Sequence, residues 1–173
     1  ADIPYRVHGG FKFYERAEIK DCLAYLRLAN FRGDDAAFER IVNTPPRGVG
    51  QRTVEALRHT ARLENITLWD AARRLVDHRE LGARANNALE KFFQLIDRLT
   101  VEIDGVALDQ IIEIIVERSG LPDHYRKEKG DRGLDRIENL EELVIAAGDF
   151  EPTEEEAELP LVSAFLSHAA LEA

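Results

Sequence analysis

The sequence predicts an all-α protein with one short strand at its start. Apolar residues return at three- and four-residue intervals through most of the chain, which is the spacing of one helix face. Glycines, prolines and asparagines punctuate these stripes, and only residues 3–7 alternate as a strand does, ending at Gly9-Gly10.

Each element follows from its own signal. From Arg16 to Asn30, Ile19, Leu23 and Leu26 keep helical spacing, and Cys22 among them is expected to be a buried thiol. Gly33-Asp34-Asp35 breaks the chain and caps a helix carrying Phe38, Ile41 and Val42. That helix stops at Asn43-Thr44-Pro45-Pro46, because a residue before proline avoids helical angles. Another starts near Gln51 with Val54, Leu57 and Ala61 inward. Thr67 followed by Asp70 resembles a capping box and opens a helix containing Leu68, Ala72, Leu75 and Val76. Residues 82–102 hold the clearest stripe: Leu89, Phe92, Phe93, Ile96 and Leu99. After Gly105, Leu108–Ser119 buries Ile111, Ile112, Ile115 and Val116 and ends at Gly120. Residues 134–147 and 161–171 are the last two helices, separated by an acidic loop over 150–160 with almost nothing to bury.

With 173 residues, 45% hydrophobic and 32% charged, the chain is long enough for one well-buried core. No apolar run approaches the roughly 20 residues that cross a bilayer. One cysteine excludes an intramolecular disulfide and points to the cytoplasm. The absence of methionine and the abrupt start suggest a segment of a longer protein. The formal charge of -10 argues against an indiscriminate nucleic-acid binder. It is unevenly spread, however. Residues 40–84 carry nine arginines against five acids, a net +4, which leaves -14 on the remainder.

Chemistry concentrates in Thr44-Pro45-Pro46-Arg47-Gly48-Val49-Gly50-Gln51-Arg52-Thr53. A helix ends at proline, Gly-Val-Gly turns tightly, and a new helix starts at once. Glycines permit the turn and let a ligand approach the backbone. The open amides of the new helix's first turn favour an anion. A helix-hairpin-helix turn grips a DNA phosphate in this way without reading sequence. Arg47, Gly48, Val49, Gly50, Gln51, Arg52 and Thr53 are the candidate DNA-binding residues; the bland alternative is a glycine turn between packed helices.

Other chemistries lack residues. No G-x-x-x-x-G-K-[ST] phosphate loop is present, so no ATP hydrolysis is expected of this chain alone. The histidines, His8, His59, His78, His124 and His168, have no metal-ligand spacing, and no catalytic residue or metal site is assigned. Some glycosylases with this hairpin carry a Schiff-base lysine where Arg52 stands, and a guanidinium stays protonated.

Several segments together resemble the UvrD/PcrA/Rep group of superfamily-one helicases, above all its UvrD branch in Gram-negative bacteria. They are Ile3–Gly10, Phe13–Arg16, Glu18–Asp21, Ala24–Leu28, Asp34–Arg40, Asn43–Gly50, Arg136–Leu143 and Phe165–Glu172. The resemblance implies an ATP-driven 3′–5′ DNA helicase acting in nucleotide excision and mismatch repair. It implies that residues 1–33 are the tail of motor domain 2A and residues 34–173 most of the accessory subdomain 2B, a duplex-binding and regulatory element. The hairpin of that subdomain falls on Gly48, Val49 and Gly50. ATP and Mg²⁺ belong to the parent protein's motor, with no cofactor expected in this segment. The implied partners are duplex DNA and its single-strand junction, the motor domains, another copy, RNA polymerase and mismatch-repair proteins. A protein-interaction or autoinhibitory module is the alternative function.

Overall fold

The computed structural model describes residues 12–173. The strand expected at residues 3–7, Arg6 and the Gly9-Gly10 turn lie outside the described residues. Within them the chain is all-helical, with nine α-helices and no strand. Packing divides it into two compact units: described residues up to Leu23 with Gly105–Ala173, and Ala24–Asp104. The first division falls inside helix α1 (Ala17–Asn30). It is a division by packing, and the one inferred near residue 33 concerns a longer protein.

In the Ala24–Asp104 unit, the C-terminal half of α1 is followed by α2 (Asp35–Ile41), α3 (Gln51–Glu64), α4 (Leu68–Asp77) and α5 (Ala83–Glu102). Local chemistry sets these boundaries. The Asp34 carboxylate accepts from the Ala37 amide at 3.0 Å and starts α2. Asn65 takes the left-handed conformation that closes α3. Thr67 Oγ1 accepts from the Asp70 amide at 3.1 Å and starts α4, giving one half of the expected capping box. The apolar faces of α2, α4 and α5 meet in an aromatic cluster. Phe38 stands edge-on to Phe92 with centroids 5.6 Å apart, and Trp69 lies 4.9 Å from Phe93. Leu57, Leu89 and Ile96 are fully buried in the same unit.

In the other unit, α6 (Leu108–Ser119) ends at Gly120, whose φ of 75° only glycine adopts without cost. A short α7 (Leu121–Arg126), with Pro122 in its first turn, follows directly. Six residues are too few to show a period, so the apolar pattern gives no sign of α7. Helix α8 (Arg132–Asp149) runs two residues beyond the expected 134–147 at each end, and α9 covers Leu161–Glu172. Val116, Ile137 and Val144, expected inward, are only half-buried. The acidic 150–160 segment is largely exposed and still carries local order. Thr153 and Glu156 bond each other's amides reciprocally, at 2.9 and 3.2 Å, around a 3-10 turn at Glu156–Glu158. Among the described residues of this unit, Glu18 and Asp21 are buried acids. Glu18 accepts from Arg136 Nη1 at 3.2 Å and Asn139 Nδ2 at 2.6 Å, and Asp21 from the Tyr125 hydroxyl at 2.7 Å.

Candidate nucleic-acid interface

The segment between α2 and α3 is held from behind by side chains that the sequence stripe does not expose. The Asn43 carboxamide oxygen accepts from the amides of Arg47 at 2.8 Å and Val49 at 3.2 Å, folding the chain back on itself. The Tyr25 hydroxyl, fully buried on α1, donates to the Thr44 carbonyl at 2.5 Å. Val49 is 1% exposed and pins the apex of the turn to the core.

The two glycines serve different ends. Gly48 has φ +96°, a region closed to ordinary side chains, and an added Cβ would lie 3.0 Å from Arg84 Nε. Gly50 has an ordinary φ of -80° and is the N-cap of α3, and a Cβ there would meet nothing within 4 Å. At Gly50, therefore, the missing side chain leaves open space, with no crowding to relieve.

That open space faces the start of α3. Gly50 supplies no side-chain cap, no acid stands in the first turn, and Val54 is the first amide bonded back to the helix, to the Gly50 carbonyl at 3.1 Å. The amides of Gln51, Arg52 and Thr53 precede it and have no intrahelical acceptor. Gln51 and Arg52 are exposed and Thr53 half-buried, so the helix dipole and these donors present a site for an anion.

Among the sequence-selected residues the structure thus brings Gly48, Gly50, Gln51, Arg52 and Thr53 to one surface and places Val49 beneath it. Arg47 points the other way. Its Nη2 donates to the Tyr25 hydroxyl at 2.6 Å, and its guanidinium carbon lies 4.8 Å over the Phe92 ring. Its Nη1 is buried, with no hydrogen-bond partner among the described residues. An arginine in a glycine turn suggests surface charge from sequence alone. Here the packing of the turn against Phe92 makes it a brace.

The basic stretch is also less uniform than its count implies. Arg58 pairs with Glu39, Arg73 with Asp97 at 3.1 Å, and Arg74 with Glu64 at 2.5 Å. Among the described residues, Arg52 and Arg84 make no ion pair. Arg84 belongs to α5, 36 residues after Gly48, so nothing in the linear motif links the two.

Fold and turn together define a helical module built around a glycine hairpin with an open helix start. The whole chain, residues 1–173, matches the model of the UvrD-like helicase C-terminal domain. It is 51% identical over 173 residues to DNA helicase II of Escherichia coli (strain K12), covering all of this chain and 24% of that protein. It is 48% identical over 171 residues to DNA helicase II of Haemophilus influenzae, covering 99% of this chain and 24% of that protein. Identity to the ATP-dependent DNA helicase PcrA of Bacillus subtilis is 37% over 171 residues, 99% of this chain and 23% of that protein. The chain belongs to the UvrD-like helicase family, and it spans about a quarter of the length of these curated relatives.

Proposed function

We propose that this chain is the duplex-DNA-binding, regulatory 2B part of an ATP-dependent 3′–5′ DNA helicase, with residues 1–33 continuing a motor domain. The open start of α3 behind Gly48-Val49-Gly50 carries this proposal. Its amides and Arg52 hold a backbone phosphate, while Asn43, Arg47 and Val49 keep the turn rigid. Phosphate contact without base contact suits a domain that must meet any sequence ahead of a moving fork. Nucleotide excision repair and mismatch repair are the settings in which such a helicase works.

We assign ATP and Mg²⁺ to the motor of the longer protein, because the sequence holds no G-x-x-x-x-G-K-[ST] phosphate loop. Hydrolysis belongs to the motor of the longer protein.

A second role, docking of RNA polymerase, a mismatch-repair protein or another copy, draws support from the exposed carboxylates of Glu151, Glu154, Glu155 and Glu158. Salt separates the two. Anisotropy of the 173-residue chain with a labelled duplex bearing a 3′ tail should show affinity falling linearly with salt on logarithmic axes, about 0.9 in slope per phosphate neutralised. A chain that ignores duplex at low salt, or binds it with no salt dependence, contradicts the phosphate clamp.

A further inference from the structure

We propose that Arg84, carried to the turn by α5, is a phosphate-contacting residue of this interface, alongside Arg52. The inference rests on the phosphate-clamp function proposed above and extends it to a second element.

Three observations carry it. First, Arg84 and the turn form one surface. The position of a Cβ at Gly48 lies 3.0 Å from Arg84 Nε, 3.4 Å from its Cγ and 3.7 Å from its Cδ, so the arginine stem occupies the space above the glycine. A larger residue at position 48 would push that stem away.

Second, the charge of Arg84 is unspent. Arg58, Arg73 and Arg74 are matched by carboxylates and Arg47 is turned inward, whereas Arg84 is exposed and has no acidic partner among the described residues. Arg52 follows the turn directly and Arg84 lies over Gly48, and both face solvent.

Third, the placement opposes the helix's own electrostatics. Arg52 stands two residues after the glycine N-cap of α3, and Arg84 two residues after the glycine N-cap of α5. Neither first turn contains an acid, and neither glycine supplies a side-chain cap. A cation at the positive end of a helix dipole is the unfavourable arrangement, and stability alone favours Asp or Glu there. An anion lying across both helix starts reverses the sign of that interaction. A duplex backbone, with phosphates in succession, supplies such an anion to both arginines at once.

The test uses the 173-residue chain with a short fluorescein-labelled duplex, titrated across a range of salt. Arg84→Gln removes the charge, Arg84→Met removes it while keeping an apolar stem over Gly48, and Arg84→Lys keeps a point charge. Arg62→Gln, at the far end of α3, is the control for loss of an exposed arginine. Thermal melting followed by circular dichroism establishes that each variant is folded.

Arg84→Gln and Arg84→Met should bind several-fold more weakly at low salt, alike for unrelated duplex sequences, with the salt slope reduced by about 0.9. Arg84→Lys should keep the parent slope, and Arg62→Gln should match the parent. If both neutral variants keep the parent affinity and slope while Gly50→Ala loses binding, Arg84 is no contact and the turn stands without it. If the parent itself does not bind duplex, the phosphate clamp fails and the assignment of Arg84 falls with it.

Discussion

Gly48 and Gly50 flank a single valine, yet replacing them tests different things. Alanine at Gly48 must adopt φ near +96° and crowd Arg84, so Gly48→Ala should destabilise the chain by about 1–3 kcal/mol, read as a lower melting temperature. Gly50→Ala adds a methyl to open space at an ordinary φ and should cost no more than about 1 kcal/mol, the difference between alanine and glycine as an N-cap. Cys22 is a residue-scale case with a chemical readout. Burial, with the Asp21 charge beside it, pushes its thiol up from 9.0 to about 12, and burial with the nearby Glu172 charge raises the Tyr14 hydroxyl to about 12. An acid whose folded pKa is raised ionises first in the unfolded chain, so it favours folding below the unfolded pKa and opposes it increasingly above. Stability should therefore fall between about pH 9 and 12, and Cys22 should resist a thiol reagent at neutral pH until denaturant is added. Rapid labelling of the native chain would contradict its burial.

At the scale of the element, helix boundaries were legible wherever a local side chain or glycine makes them: Asp34, Thr67 and Gly120 sit where the pattern puts them. Contacts between elements were not legible, because they depend on which helices pack. Gly133 is the clearest example. Nothing in the apolar stripe of α8 marks it, yet a Cβ there would stand 2.2 Å from the Tyr125 carbonyl oxygen, so α7 and α8 approach too closely for any side chain. Gly133→Ala should cost about 1–3 kcal/mol despite alanine's better helix propensity. A rise in melting temperature would show that the approach is looser than this. The same limit explains the candidate site. The glycine turn and Arg52 were readable as a local motif, whereas the inward turn of Arg47 needs Tyr25 and Phe92, and the arrival of Arg84 needs the whole of α4 and the start of α5. Buried Glu18 and Asp21 likewise show as acids in a helical run until Arg136, Asn139 and Tyr125 are brought to them.

For the whole molecule, the proposed function has to reconcile a net charge of -10 with a polyanionic ligand. The charge is segregated by sequence, with +4 over residues 40–84, and within that stretch Arg58, Arg73 and Arg74 pair with carboxylates. What remains beside the turn is a small cluster of amides and two arginines in an otherwise repulsive field. Affinity should thus be modest, strongly salt-dependent and confined to one locus. The most direct test of that locus is duplex binding by Gly50→Ala beside the parent chain at low salt, with melting curves for both. A methyl in the open space before α3 should leave melting nearly unchanged and weaken binding about tenfold or more, since a blocked charge-assisted contact forfeits roughly 1.5–3 kcal/mol. A folded Gly50→Ala chain that binds duplex as tightly as the parent would show that the phosphate does not rest on this turn.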